Sequence, residues 1–265
     1  MRPPTASPIV TKTGESPPSA PGAPVVLSAN SLRVRYRNGA LGILDVSVEV
    51  KVGQVVALFG PNGAGKTTTV RAISGFLRSE GARVIDGSVS LMGRATTNME
   101  PSRTARIGLA FVPERKKVFA SLSVRENLEA LGQLPPRAER AAAFQRVYDM
   151  FPILWERRRS QAGRLSGGQQ QMLAIARGLL TDPRLLIIDE MTLGLHHSLH
   201  EPLFDAVREV AAQGTSVLLV DESTGFALDV ADHCYLLSAG RTRMSGPAEE
   251  FRGSELLAAG YVDAE

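Results

Sequence analysis

Apolar and polar positions alternate soon after residue 25: Leu32, Val34 and Tyr36 are interleaved with Arg33, Arg35 and Arg37, which predicts a half-exposed strand of an antiparallel sheet. A second such strand is predicted at "VSVEV", residues 46–50. Three runs then break the alternation: "VVALF" at 55–59, "LLIID" at 185–189 and "VLLV" at 217–220. Strands apolar on both faces belong in the middle of a sheet covered by helices on each side, the parallel α/β arrangement. Their carboxyl ends then gather on one edge, where open sheets of this kind bind ligands. Helical periodicity is carried by "TTTVRAISGFL", by "QQMLAIARGLL" and by "AERAAAFQRVYDMF", in which Phe144, Val147 and Phe151 share one face. Residues 1–24 are dense in Pro, Ser, Thr and Gly with almost nothing to bury, and read as a disordered tail without the apolar segment of a secretory signal.

Composition narrows the functional classes. With 265 residues, 43% hydrophobic and 22% charged, the chain can bury one substantial core, with room for a small attached subdomain. The net charge of +3 is mildly basic, but no Lys/Arg tract interleaved with aromatics supports a nucleic-acid surface. The triple arginine at 157–159 reads as a solvated face. Cys234 is the one cysteine, which excludes an intrachain disulfide framework and suits a small core residue in a reducing compartment. No apolar stretch approaches the roughly 20 residues of a membrane span, so work at a membrane requires docking onto something embedded in it.

The predicted strand tips carry chemistry. The first leads into Gly60, Pro61, Asn62, Gly63, Ala64, Gly65, Lys66, Thr67 and Thr68, the pattern G-x-x-x-x-G-K-T between a strand and a helix. Such a loop lets backbone N–H groups close around phosphate oxygens, and the helix start adds its positive dipole end. Lys66 is placed to reach β and γ phosphates, and the Thr67 hydroxyl to ligate Mg²⁺. The second tip carries Asp189, suited to hold Mg²⁺ through its water shell, and Glu190, suited to polarise a water attacking the γ-phosphate. The third carries Asp221 and Glu222.

Between the first two lies "LSGGQQQ", Leu165 to Gln171, a second anion-binding construction at a helix start. In that position it resembles the signature motif of ABC-type ATPases, and the resemblance runs from about residue 27 to the C-terminus. It implies a P-loop ATPase with a mainly parallel core sheet, an antiparallel β-subdomain and an α-helical subdomain at about 123–163, making residues 25–265 one nucleotide-binding domain. It also implies that Ser166, Gly167, Gly168 and Gln169 act on the ATP of a second subunit, so that two chains sandwich each nucleotide.

The same resemblance gives Tyr36 the role of stacking on adenine, and it makes "FVPERKKVFASLSVREN" the Q-loop region, with Glu114 where most members carry Gln. Glu114 thereby joins Thr67 and Asp189 as a metal ligand, and joins Glu190 and Glu222 as a catalytic candidate. Glu222 fills the position where members usually carry a switch histidine on the γ-phosphate; an ionised carboxylate there needs to turn away, protonate, or be offset by Mg²⁺ and Lys66. Met191 replaces the usual Pro, and "LHHS" from Leu195 to Ser198 fills the D-loop, making His196 and His197 candidates for dimer contacts. The phrases "VPE", "TLGL" and "VDES" are most similar to ATP-binding subunits of branched-chain amino acid importers of the LivF type, which implies a peripheral subunit on the cytoplasmic face of the membrane. The implied partners are transmembrane permease subunits docking near the Q-loop through Phe119, Leu122 and Val124, a second ATPase subunit, and indirectly a solute-binding protein. The altered switch leaves the alternative of a regulatory half that binds ATP with little hydrolysis.

Overall fold

The computed structural model describes residues 22–115, 117–132, 134–191, 195, 199–222 and 227–252. In chain order its elements are β1 (Val25–Tyr36), β2 (Leu41–Lys51), β3 (Val55–Phe59), α1 (Lys66–Ser74), β4 (Ala82–Leu91), β5 (Arg94–Ala95), α2 (Pro101–Ile107), β6 (Leu109–Val112), α3 (Val124–Glu129), α4 (Arg140–Met150), α5 (Pro152–Glu156), α6 (Gly167–Leu179), β7 (Leu185–Asp189), α7 (His200–Ala212), β8 (Ser216–Asp221), α8 (Ala227–Val230), β9 (His233–Ser238), β10 (Arg241–Pro247) and α9 (Ala248–Arg252). Most of the Pro-rich stretch, residues 1–21, lies outside the described residues.

All of these strands join one sheet in the order β5-β4-β1-β2-β10-β9-β3-β8-β7-β6. The half from β6 to β9 is parallel at every junction, whereas β1, β2, β4 and β5 pair antiparallel. The mainly parallel core and the antiparallel layer foreseen from the patterning are therefore both present. In β1, Leu32 and Val34 are buried while Arg33 and Arg35 face solvent, as the two-residue repeat of an extended chain requires.

The apolar runs lack alternation because each strand feeds two cores. Leu186, Ile188, Val217 and Leu219 pack with α6 and α7 on one face. Leu185, Ile187, Leu218, Val220, Val56 and Leu58 pack on the other, with Val70 and Ile73 of α1. Both faces are thus sealed from water, and burial of apolar surface at about 25 cal/mol per Å² is the main force holding helices to sheet.

The segment between β6 and α6 is helical. Ser123 caps α3, accepting from the Glu126 N–H while the Glu126 carboxylate accepts from the Ser123 N–H, so both orphan donors of the helix start are satisfied. Val147, Tyr148, Phe151 and Leu154 are buried and Phe144 packs against them, in a cluster continuous with Leu173 and Leu203. Arg158 of the triple arginine lies 4.0 Å over the Trp155 ring, so its guanidinium covers an aromatic face while Arg157 and Arg159 stay exposed. Cys234 is fully buried in β9, and burial pushes its thiol up to about 12, which leaves it an inert core group.

Candidate functional site

Register brings the strand tips together. In the parallel ladders Phe59 lies opposite Asp221, Asp189 opposite Val220, and Val112 opposite Ile188. The residues that follow each tip, Gly60 onward, Glu190, Glu222 and Pro113–Glu114, accordingly leave the sheet along one edge.

The loop after β3 is shaped by close backbone contact. Gly60 has φ 152, and a Cβ built there would lie 2.1 Å from the carbonyl oxygen of Leu237, so the site admits no larger residue without movement of β9. Gly65 caps α1 without a side-chain bond, and the first turn of α1 has no acidic residue, so its N–H groups point into the loop. Lys66 is buried; its Nζ donates to the carbonyl oxygens of Gly60 at 2.6 Å and Pro61 at 3.1 Å. Burial lowers its pKa, opposed by the pull of Glu190, Glu222, Asp189 and Asp221, so the ammonium sits inside a ring of carboxylates. The Tyr36 hydroxyl pairs with that of Thr68 at 3.0 Å, which sets its ring beside the start of α1.

The acids of the edge differ in environment. Asp189 is 2% exposed, and its Oδ1 has no hydrogen-bond partner among the described residues. Burial, then the charge of Glu190, pushes its carboxyl up to about 6. A buried carboxylate oxygen lacking a donor fits a divalent cation, directly or through its water. Glu190 is half-buried, and its N–H donates to the Val220 carbonyl at 2.8 Å. Its φ of 52 is an uncommon left-handed conformation for a non-glycine residue. Its pKa is raised by burial and next by Glu114. Glu114, 25% exposed, accepts from Arg115 Nε at 2.8 Å. Glu222 accepts at Oε1 from Asn62 Nδ2 at 2.8 Å, tying the tip of β8 to the loop after β3.

Because Asp189 carries a folded pKa above its ordinary 3.8, the protonated form favours folding: that stability is complete below about pH 4 and lost as pH rises through about 6. Asp189→Asn is therefore expected to stabilise the nucleotide-free protein at pH 8 by up to about 3 kcal/mol, with the gain vanishing near pH 4. Thermal melts at the two pH values check this; an equal shift at both would assign the gain to something other than the buried charge.

The second anion-binding construction stands at the start of α6. Ser166 accepts from the Gln169 N–H while Gln169 Oε1 accepts from the Ser166 N–H. A Cβ on Gly168 would meet Leu199 Cδ1 at 2.4 Å, so this glycine lets the start of α6 lie against the residue leading into α7. Leu195 approaches Gly167 in the same way. His196, His197 and Ser198 lie outside the described residues, and Met191 is buried in the core.

Sequence reasoning missed the link between the Q-loop region and α6. Lys117 Nζ donates to Gln171 Oε1, and Arg177 Nη1 donates to the Lys117 carbonyl at 2.8 Å, with its guanidinium 4.6 Å over the Phe119 ring. The one signal was Gln171 itself, a polar residue on the inward face of an amphipathic helix, and it is fully buried. A groove of about 350 Å³ opens beside this link, lined by Phe76, Phe111, Lys117, Phe119 and Arg177 among others. Of the three docking candidates, Phe119 is 48% exposed and Leu122 half-buried, but Val124 is fully buried beneath α3. Val124 is a core residue, and its assignment as a docking contact is corrected.

A family model described as ABC transporter matches residues 43–193. The chain is 38% identical over 200 residues, 76% of its length and 84% of the relative's, to the high-affinity branched-chain amino acid transport ATP-binding protein BraG of Pseudomonas aeruginosa. It is 34% identical over 225 residues, 83% of its length and 93% of the relative's, to a probable branched-chain amino acid transport ATP-binding protein LivF of Archaeoglobus fulgidus. Among solved structures, an ATP-binding cassette of an ABC transporter in its ADP conformation superposes with a TM-score of 0.76 at 25% identity, covering 91% of this chain and 97% of that one.

Proposed function

The chain belongs to the ABC transporter family of ATP-binding subunits, and from that premise we propose that it powers a membrane importer of branched-chain amino acids or similar small polar solutes. It is an ABC-type ATPase. The observation that supports this reading most is the parallel register that brings the phosphate loop, Asp189 and Glu190 to one sheet edge, on either side of β8. The regulatory-half alternative finds no support among the relatives.

In this reading the loop from Gly60 to Thr68 cradles the phosphates of ATP, and Lys66 leaves the Gly60 and Pro61 carbonyls to meet the β and γ oxygens. Tyr36, anchored through Thr68, offers its ring to adenine. Thr67, Asp189 and Glu114 would hold Mg²⁺, which would draw charge from the phosphate oxygens. Glu190 takes the proton of the attacking water, its raised pKa bringing it nearer the working range of a general base. Ser166, Gly167, Gly168 and Gln169 present the capped start of α6 to the nucleotide of a second ATP-binding subunit, and the two chains close head to tail.

Among the described residues no helix is long and apolar enough to cross a membrane. The reading makes the chain a peripheral subunit on the cytoplasmic face of the membrane, as its ABC transport relatives suggest. The groove beside Phe119 suits an apolar segment of a permease subunit, with Lys117 and Arg177 at its wall. A solute-binding protein takes part only through that permease. We assign residues 25–265 to one nucleotide-binding domain, with the helices between β6 and α6 as its helical subdomain at about 123–163 and residues 1–24 as a Pro-rich tail.

Co-purification with the permease and second subunit, followed by reconstitution in vesicles, tests the solute assignment. Leucine, isoleucine or valine with its binding protein should raise ATP turnover severalfold over the basal rate. If all three leave turnover at its basal level, the solute is of another class. The purified chain alone should turn over slowly; fast turnover rising steeply with protein concentration would remove the need for a second kind of subunit.

A further inference from the structure

We propose that Glu222 sets the preference of this site between nucleoside triphosphate and diphosphate, as a carboxylate pinned to the phosphate loop where the terminal phosphate must arrive. The inference rests on reading Gly60–Thr68 as a nucleotide loop. It starts from one contact: Asn62 Nδ2 donates to Glu222 Oε1 at 2.8 Å, joining the middle of the loop to the tip of β8. Both residues are exposed, so the carboxylate stands at the open mouth of the loop, where a ligand enters.

The rest of the loop divides into a deep and a shallow part. At the deep end, Gly65 starts α1 without a side-chain cap, Lys66 is buried against the Gly60 and Pro61 carbonyls, and Asp189 is sealed beneath. A diphosphate seated on the uncapped N–H groups of α1 fills this part and meets the positive end of the helix. A third phosphate extends past Lys66, which reaches both the β and γ positions, to the outer turn of the loop, where Asn62 holds Glu222. Glu222 is also among the carboxylates whose charge acts on Lys66, which places it within electrostatic range of the group that receives the terminal phosphate. The added phosphate brings further negative charge against a carboxylate that the loop itself holds in place, and the penalty falls mainly on the triphosphate, whose added charge stands nearest.

Substitution separates charge from tether. Gln at 222 can still accept from Asn62 through its amide oxygen but carries no charge; Ala removes both. The full chain, wild type, Glu222→Gln and Glu222→Ala, is titrated with MgADP and with the magnesium complex of a non-hydrolysable β,γ-imido ATP. Glu222→Gln should tighten the triphosphate about tenfold while changing ADP less than about twofold, the size expected for one unit charge removed at a partly screened site. Glu222→Ala should raise the triphosphate-to-diphosphate ratio to the same degree. The gap between wild type and Glu222→Gln should shrink as salt rises, because the effect is coulombic, which a merely structural role would not produce. An unchanged ratio in both variants, with ADP binding intact, overturns the inference and leaves the nucleotide-loop reading standing. Failure of wild type to bind either nucleotide overturns that reading and the inference together.

Discussion

Glu190→Gln is expected to lower ATP turnover about a thousandfold while ATP stays bound. General bases contribute on the order of 10² to 10⁴ in rate, and the amide has no basic oxygen with which to take a proton from water. Geometry argues that the loss will be chemical and not structural. The Glu190 backbone is fixed by its N–H bond to the Val220 carbonyl at 2.8 Å and by its left-handed φ of 52, and Gln has the same shape. Binding should hold or tighten, because Asp189, Glu190, Asp221 and Glu222 all act on the buried Lys66 and Glu114 adds its charge beside Glu190, and the substitution removes one negative charge. Phosphate release measured beside nucleotide binding separates the two outcomes. Turnover within a few fold of wild type would place the base elsewhere.

The second large effect concerns folding. Gly60→Ala is expected to destabilise the protein by about 3 kcal/mol, lowering the melting temperature by roughly 6–12 °C. Two costs add: a positive φ that non-glycine residues rarely adopt, and a methyl group 2.1 Å from the Leu237 carbonyl oxygen, a backbone atom of β9 that cannot step aside alone. By contrast, Gly63→Ala, where a Cβ meets nothing within 4 Å, should bear only the backbone cost of its φ of 81, about 1 kcal/mol. Melting curves of the two variants side by side are the check; equal losses would show that crowding against β9 does not contribute.

How far these features were legible in the sequence varied with the length scale on which each is encoded. Apolar runs such as "VVALF" and "LLIID" specify buried parallel strands because every residue must find a dry environment, and those strands are where the patterning put them. The helix starts after the glycine loop and after Ser166 were legible because glycine spacing and capping chemistry are local. Long-range contacts were not. Nothing in "VDES" announces that Glu222 meets Asn62, and nothing in "FVPERKK" announces that Lys117 meets Gln171, since both depend on which strands become neighbours. Val124 failed as a docking contact for the same reason: its place shortly after Phe119 in the chain does not show that α3 turns it inward. The conformation of Glu190 left no trace in composition, because it follows from the bond to Val220 across β8.

The junction between the two halves of the sheet has a mechanical consequence. β2 and β10 share a single parallel ladder pair, Arg241 with Asp45, supplemented by the Leu44 and Asp45 N–H groups on the Gly240 carbonyl. Ser47 and Glu49 of β2 add side-chain bonds to Thr242 and Tyr235, but the backbone ladder at this seam is far shorter than those on either side of it. The Tyr36 ring belongs to the antiparallel half and the phosphate loop to the parallel half, with the Tyr36–Thr68 contact lying across the division. On the function proposed above, a nucleotide held at its base by Tyr36 and at its phosphates by the Gly60–Thr68 loop would act as a splint across that seam.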